Sequence, residues 1–388
     1  MNGIYLDNSA TTPLCAAAKE KLLAVSESCW GNPSSLHGLG NAAARELNAA
    51  RESVARALGA RDGQVVFTGS GSEANNLAIL GRAYAKERYR RGARIVTTRG
   101  EHASVAMPLS RLAAEGYEIV ELDTRDGEVD MARFEAALTK NTVLVTVMAV
   151  NNETGACYDI AAMARATHRL CPDAIFHTDA TQAFMKIPLS PKDGADLITV
   201  SAHKIEGPKG CGALWISPAV IKNKGLSPQI LGGGQENGLR SGTENVAGCA
   251  AFGAACDYAR VGFEEHAAAM RACREYLVER LQGDPCFAEV KINQPKKQAP
   301  HILSLTMPAI KSETMLHFLS AEGIYVSSGS ACSSHGRHGS PPLLAFGLSQ
   351  READCTIRVS LSFRNTKEEL DTFLLALAKG LSSLVRIK

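Results

Sequence analysis

Lys204 stands where a lysine can become a nucleophile. It follows the apolar run 197–200, and after it come Gly207-Pro208-Lys209-Gly210 and a second apolar run, 213–216. Strand, tight turn, strand is the pattern, because both flanks are too short for helices and the middle is full of breakers. A lysine packed in at a strand end loses solvation, which lowers its pKa. A neutral amine is what Schiff-base chemistry with a carbonyl cofactor requires. Taken alone, Lys204 would be a solvated surface residue, so its companions decide.

Thr68-Gly69-Ser70-Gly71-Ser72-Glu73 follows one apolar run and opens a helical pattern. Small residues there let backbone N–H groups approach an anion at the positive end of a helix, although Ser70 or Ser72 as a plain N-cap explains the same residues. It is not a Walker motif, since no Gly-Lys-Ser/Thr follows. His177-Thr178-Asp179-Ala180-Thr181-Gln182 ends another run. An acid there points into the crevice where α/β folds bind ligands. It either caps a helix or, as a carboxylate, keeps a pyridinium nitrogen protonated, the usual partner of pyridoxal phosphate. Gln182 reaches the same crevice. Glu101-His102 precedes a helix and brings an imidazole to it, structural or otherwise. Asn151-Asn152-Glu153-Thr154-Gly155 ends the longest apolar run, where buried amides need partners. Arg240-Ser241-Gly242-Thr243 follows three glycines and offers a second anion contact. Arg358 lies inside an apolar strand, TIRVSL, and needs an anion, either a structural or a substrate carboxylate. Cys332 is the one cysteine in a Ser/Gly/His-rich stretch, where a thiol is accessible.

The elements that position these residues alternate regularly. Apolar, β-branched runs at 65–68, 94–98, 118–122, 142–150, 174–177, 197–200 and 213–216 predict strands, most of them separated by helices at 72–91, 103–115, 131–138 and 160–170. Such alternation implies an α/β fold with a large, mostly parallel, covered sheet. The short turn between the last two runs predicts an antiparallel edge pair. Helices are also predicted at 14–29 and 38–58, and an alanine-rich helical bridge at 245–281. Beyond it, strands at 289–293, 302–306, 324–327 and 356–361 with helices at 313–321 and 367–384 form a smaller α+β unit. The stretch 330–349 begins as an exposed, mobile loop.

Composition narrows the function. A chain of 388 residues with 45% hydrophobic and 21% charged residues has room for two domains. A formal net charge of +2 without basic blocks argues against a nucleic-acid surface. No apolar run approaches a membrane span and no signal peptide is apparent. The 11 cysteines form no Cys-x-x-Cys pair, so no metal site is expected; Cys332 and His335 alone do not close a coordination shell. Many free thiols fit a reducing, cytoplasmic location, or a mature organellar form.

Together the motifs SAHKIEGPKG (201–210), HTDATQ (177–182), VNNETG (150–155), LRSGTEN (239–245), YLDNSATT (5–12), GNPSS (31–35) and SSGSAC (327–332) resemble those of the NifS/IscS-type cysteine desulfurases. These are class V, fold-type I pyridoxal-phosphate enzymes of the aspartate-aminotransferase superfamily. The resemblance runs from Tyr5 to the last helix. It implies a large domain at 14–257 with a seven-stranded, mostly parallel sheet, and a small domain from 1–13 and 258–388 carrying the nucleophile loop. It also implies pyridoxal 5'-phosphate on Lys204, His102 stacked on the ring, Asp179 at the ring nitrogen, and Gln182 and Asn152 on the phenolic side. Gly71, Ser72, Ser201 and His203 would hold the phosphate, with Thr243 reaching the neighbouring subunit's phosphate in a homodimer. Arg358, with Asn152, would bind the carboxylate of L-cysteine. Cys332 would accept its sulfur as a persulfide, leaving L-alanine, and pass it to an iron–sulfur scaffold or thiolation protein. Selenocysteine lyase and an inactive cofactor-binding partner subunit are the alternatives. Two departures stand out: Glu206, where relatives carry an aromatic residue or histidine, so that a negative charge would raise the pKa of Lys204 or alter access to it, and the loop HGRHGSPPLL. The 26 positions from Cys332 to Arg358 resemble the long-loop group.

Overall fold

The computed structural model describes residues 3–85, 93–329 and 340–386. After a short β1 (Ile4–Tyr5), seven strands build the main sheet: β2 (Gln64–Thr68), β3 (Arg94–Thr98), β4 (Glu118–Leu122), β5 (Thr142–Thr146), β6 (Ile175–Asp179), β7 (Leu197–Ser201) and β8 (Gly212–Ile216). Their order is β2-β8-β7-β6-β5-β3-β4. The pairs β3–β4, β3–β5, β5–β6 and β6–β7 are parallel, and β8 runs against both of its neighbours. The β7–β8 pair is therefore antiparallel as expected, but it is not the edge. The distant β2 pairs with β8 and closes that side, a long-range partnership that a short-turn rule does not see.

Alternate residues of each strand face opposite sides, and helices cover both. Phe67, Val145, Phe176, Ile198 and Trp215 enter one core. Val66, Leu144, Ile175, Leu197 and Leu214 enter the other. On the first side, Phe252 of the helix Val246–Val261 packs edge-on to Phe67 and Phe184. That helix lies so close to the helix Gly38–Ala57 that a Cβ on Gly253 would come 2.8 Å from Ala50 Cα. Small residues are the condition for that approach, which is why the bridge reads as alanine-rich. The helical bridge is interrupted at Gly262 and continues as Phe263–Gly283.

Three boundaries differ from expectation. The run 142–150 leaves strand conformation after Thr146, because the Met148 N–H donates to the Glu101 carboxylate, at 3.0 and 3.1 Å, instead of to a neighbouring strand. The helix predicted at 72–91 spans Gly71–Ala83, with 86–92 outside the described residues. The stretch 330–349 is helical in its second half, Pro341–Phe346, which buries Leu343 and Phe346; positions 330–339 lie outside the described residues.

The C-terminal strands β9 (Lys291–Ile292), β10 (Ile302–Thr306), β11 (Ile324–Tyr325), β12 (Ser327–Ser328) and β13 (Thr356–Ser360) complete the fold. Four of them form the antiparallel sheet β12-β13-β10-β9. The amino terminus joins this unit: β1 pairs with β11, Asp7 bridges to Ser360, and Leu6 enters a core with Leu303, Leu305, Ile357, Val359 and Phe373. Among the described residues no helix is long and apolar enough to cross a membrane.

Candidate active site

The carboxyl ends of β6 and β7, the first turns of two helices, and Ser9 and Ala10 of the amino-terminal segment line one cavity of about 320 Å³. That is the usual place and size for a ligand in an α/β fold. Gly71, Ser72, His102, Asn152, Asp179, Gln182, Ser201, His203, Lys204 and Arg358 all line it.

Lys204 projects from the turn after β7. Its Nζ donates to the carbonyls of Ser9 (2.6 Å) and Ala10 (2.8 Å). The Ser9 carbonyl also receives Gln182 Nε2 at 2.9 Å. The amino-terminal segment is bound to this turn through Thr12, whose Oγ1 donates to the His203 carbonyl (2.9 Å) and accepts the Glu206 N–H (2.8 Å). Residues nearly two hundred positions apart thus form one wall. Burial, followed by the charges of Lys204, Lys209 and Lys186, pushes His203 down to about 4, so its ring is neutral beside Lys204.

Asp179 ends β6 and is 5% exposed. Oδ2 accepts Asn75 Nδ2 (2.8 Å) and Oδ1 accepts the Thr181 N–H (2.9 Å), which fixes the carboxylate plane. The same Asn75 amide donates to Ser104 Oγ (2.9 Å), and Ser104 Oγ meets His102 Nδ1 at 2.8 Å. His102 caps the helix Ala103–Ala114, its Nδ1 accepting the Ser104 N–H at 3.1 Å. The ring is open to the cavity, yet the protein around it desolvates its nitrogens. That desolvation lowers its pKa; Lys204 and Arg358 add to the effect and Asp179 opposes it. Asn75 therefore sets two ring-facing groups at once. The sequence does not single it out, because an asparagine within a helix has no local signature.

At the other end, the helix Gly71–Ala83 presents its first turn. Ser70 caps it through the Glu73 N–H (3.1 Å), so the capping and the anion readings of this motif coexist. The approach depends on Gly212 of β8, where a Cβ would lie 2.4 Å from the Ser70 carbonyl carbon. Ser201 Oγ and Asn152 Oδ1, on two cavity-lining residues, are buried with no hydrogen-bond partner among the described residues. Buried polar atoms seek partners. Their placement, with a helix N-terminus at one end and a fixed carboxylate at the other, suits the phosphate and ring nitrogen of pyridoxal phosphate.

Arg358, 9% exposed on β13, has the structural carboxylate of the first sequence reading. Nη2 pairs with Asp7 Oδ1 and Nη1 donates to the Asn152 carbonyl, each at 2.9 Å, while the side chain also lines the cavity. Asn151 supplies the partners its motif demands: its Oδ1 accepts the N–H groups of Glu153 and Thr154, both at 2.9 Å. His177 is structural, bridging Thr146 (2.8 Å) and Thr199 (3.0 Å) across three strands.

Glu206 does not face Lys204 with an unmatched charge. Its carboxylate turns to Arg364, at 2.9 and 2.7 Å, with only 8% of the side chain exposed. The residue sits at φ 61°, a left-handed conformation held by the Thr12 bond and this ion pair. Arg364→Ala is expected to strand the carboxylate. The loss is about 2 kcal/mol, less than for a fully buried pair because Arg364 is 52% exposed. Calorimetry should read it as a fall of about 4 °C in Tm.

Thr243 is exposed and lines a different crevice with Arg240, Glu236 and Cys249, so this chain does not bring it to Lys204. Cys332 lies outside the described residues. Besides Asn75, the sequence left Ser9, Glu101 and Lys186 unremarked as site residues. Glu101 is pushed up to about 8 by burial while holding Thr98 and Met148.

A family model for aminotransferase class V matches residues 4–373. The chain is 36% identical over 384 residues to the cysteine desulfurase IscS of Dictyoglomus turgidum, covering 98% of this chain and 95% of that one. A solved NifS-like protein superposes with a TM-score of 0.90 at 34% identity, over 98% of this chain and all of the other. A second solved structure, SspA in complex with cysteine, superposes with a TM-score of 0.78 at 31% identity, over 94% of this chain and all of the other.

Proposed function

The chain belongs to the class V aminotransferases and is a pyridoxal-phosphate-dependent cysteine desulfurase, and from that premise we propose how its residues divide the work. When bound, pyridoxal phosphate supplies a sink for the electron pair left on the substrate Cα. Asp179, with its plane set by Asn75 and Thr181, holds a proton at the ring nitrogen. Gly71, Ser72, Ser201 and His203 would hold the phosphate, Gln182 and Asn152 would border the phenolic side, and His102 would cover one ring face. Arg358, with Asn152, receives the carboxylate of L-cysteine. The Lys204 amine takes the Cα proton and returns one to the product. Cys332, as the thiolate, forms a bond to the substrate sulfur while the substrate Cβ–S bond breaks; the pair from that bond stays with Cβ, which takes up a proton, leaving L-alanine and a Cys332 persulfide.

The observation that carries this reading is the convergence of Lys204, Asp179 and a helix N-terminus on a cavity where Ser201 Oγ and Asn152 Oδ1 are buried with no partner among the described residues. The test is to load the purified protein with pyridoxal phosphate and quantify alanine and sulfide from L-cysteine in the presence of a reducing dithiol, which returns the Cys332 persulfide to thiol and frees its outer sulfur as sulfide, with selenocysteine in parallel. Equimolar alanine and sulfide are expected. A colourless protein, or one that makes alanine only from selenocysteine, defeats the assignment.

We further propose the division into a domain at 14–257 and one at 1–13 with 258–388, a cytoplasmic location, a homodimer and a protein sulfur acceptor. The ten described cysteines are all free, which fits a reducing compartment. The dimer is favoured by the exposed Thr243, which would serve the partner's phosphate, and by large apolar side chains left in solvent at Trp30, Leu36 and Leu231.

A further inference from the structure

Lys186 is a lysine buried just behind the site. It is 7% exposed, and its Nζ donates to Gln182 Oε1 at 3.5 Å. The charges acting on it are the cations Lys204 and Arg358. Burial first, and these cations second, bring its pKa down to about 7. A lysine that is neutral in the fold but charged when unfolded destabilises the protein as pH falls from about 10 toward 7, and the full penalty persists below that. A methionine would fill the same space without it. Packing therefore gives no reason for an amine here.

Geometry does give one. Gln182 faces Lys186 with Oε1 and donates through Nε2 to the Ser9 carbonyl (2.9 Å), the same carbonyl that accepts Lys204 Nζ (2.6 Å). His301 Nε2 meets the same Oε1 at 3.4 Å. Lys186 and Lys204 also line a second, small rear cavity of about 50 Å³, which Asp179 and Arg358 do not line. It is roomy enough to admit water. The other titratable groups on it are Glu206, committed to Arg364, together with Tyr258 and His266. Burial holds His301 well below its ordinary pKa, so that ring does not compete for a proton.

We propose that Lys186 is a positioning residue for the Lys204 amine: through Gln182 it fixes the carbonyl cradle in which Nζ rests, and across the shared rear cavity it exchanges a proton with Lys204. The exchange is balanced within the pair. The proton that Lys204 Nζ gives up is taken by the Lys186 amine, and it returns when Lys204 must donate. This rests on Lys204 being the cofactor-bearing residue.

The test compares wild-type, Lys186→Met and Lys186→Arg holoenzymes by cofactor absorbance against pH, turnover against pH, and thermal melting. Lys186→Met should keep its colour and melt no lower than wild type at pH 6–7. Its absorbance midpoint should rise by about half a pH unit or more, since toward and below pH 7, where the Lys186 amine takes up a proton, nothing then repels the Lys204 proton. Its turnover should fall about tenfold and lose the acid limb near neutrality. Lys186→Arg should move the midpoint the opposite way, because a guanidinium keeps its charge. Should Lys186→Arg fail to fold, Lys186→Met decides alone. A Lys186→Met protein that melts lower with midpoint and pH profile unmoved would make Lys186 a packing residue and overturn the proposal. Wild-type protein with its cofactor on another lysine would instead remove the Lys204 assignment beneath it.

Discussion

Lys204→Ala is expected to abolish turnover of L-cysteine, by about 10⁴-fold or more in kcat, while leaving Tm within a few degrees of wild type. The two effects separate because Nζ does chemistry at the end of a wall that other bonds maintain. Thr12 still ties the amino-terminal segment to the His203 carbonyl and the Glu206 N–H, and Gln182 still donates to the Ser9 carbonyl. What disappears is the one lysine among the described residues that line the cavity. Removing its charge also relieves His203 and Lys186, both of which it holds down, so their pKa values should rise. Borohydride reduction followed by peptide mass spectrometry should find the cofactor on the Lys204 peptide of the wild type and on no peptide of the variant. Substantial turnover by the variant would remove Lys204 from the chemistry. Lys204→Arg should be equally inactive, because a guanidinium does not deprotonate to attack a carbonyl.

What the chain discloses before folding follows a physical divide. Short β-branched runs declare themselves as strands whether buried, like β3, or at the half-exposed sheet edge, like β4, and 94–98 and 118–122 match the two to the residue. Motif residues at the carboxyl ends of strands are equally legible, since topology alone sends Asp179 and Lys204 into one crevice. Partners recruited from far away are not. Nothing local in Asn75 says that it will hold Asp179, 104 positions on. Nothing in Ser9 says that its carbonyl will receive Lys204, 195 positions on. Nor does Lys186 look different from any other lysine until three-dimensional packing closes around it. Glu206 shows the same limit in reverse. Adjacency in sequence to Lys204 suggested a perturbing charge, yet the fold supplies Arg364 from 158 positions away to neutralise it. The β8 strand likewise read as an edge until β2, from the far end of the domain, lay down beside it.

Cys332→Ala is expected to keep the cofactor and bind L-cysteine but to release sulfide at below about 1% of the wild-type rate, because no other thiol can take its place. The ten described cysteines make the case by elimination, since none lines the cavity. Burial pushes Cys157 up to about 12 and raises Cys256 well above the ordinary thiol value. Cys286 is exposed, but its bond to the Asp284 carboxylate raises its pKa, so it lacks the thiolate character an attack requires. Cys332 itself lies outside the described residues, and its role comes from the motif SSGSAC (327–332), whose Ser327 lines the cavity. Treating both proteins with one equivalent of L-cysteine and measuring intact mass should reveal an added sulfur atom on the wild type alone. The absorbance change on cysteine addition should survive in both, since it precedes sulfur transfer. Sulfide release by the variant at the wild-type rate would mean that sulfur leaves without a protein thiol, and Cys332 would then have no part in catalysis.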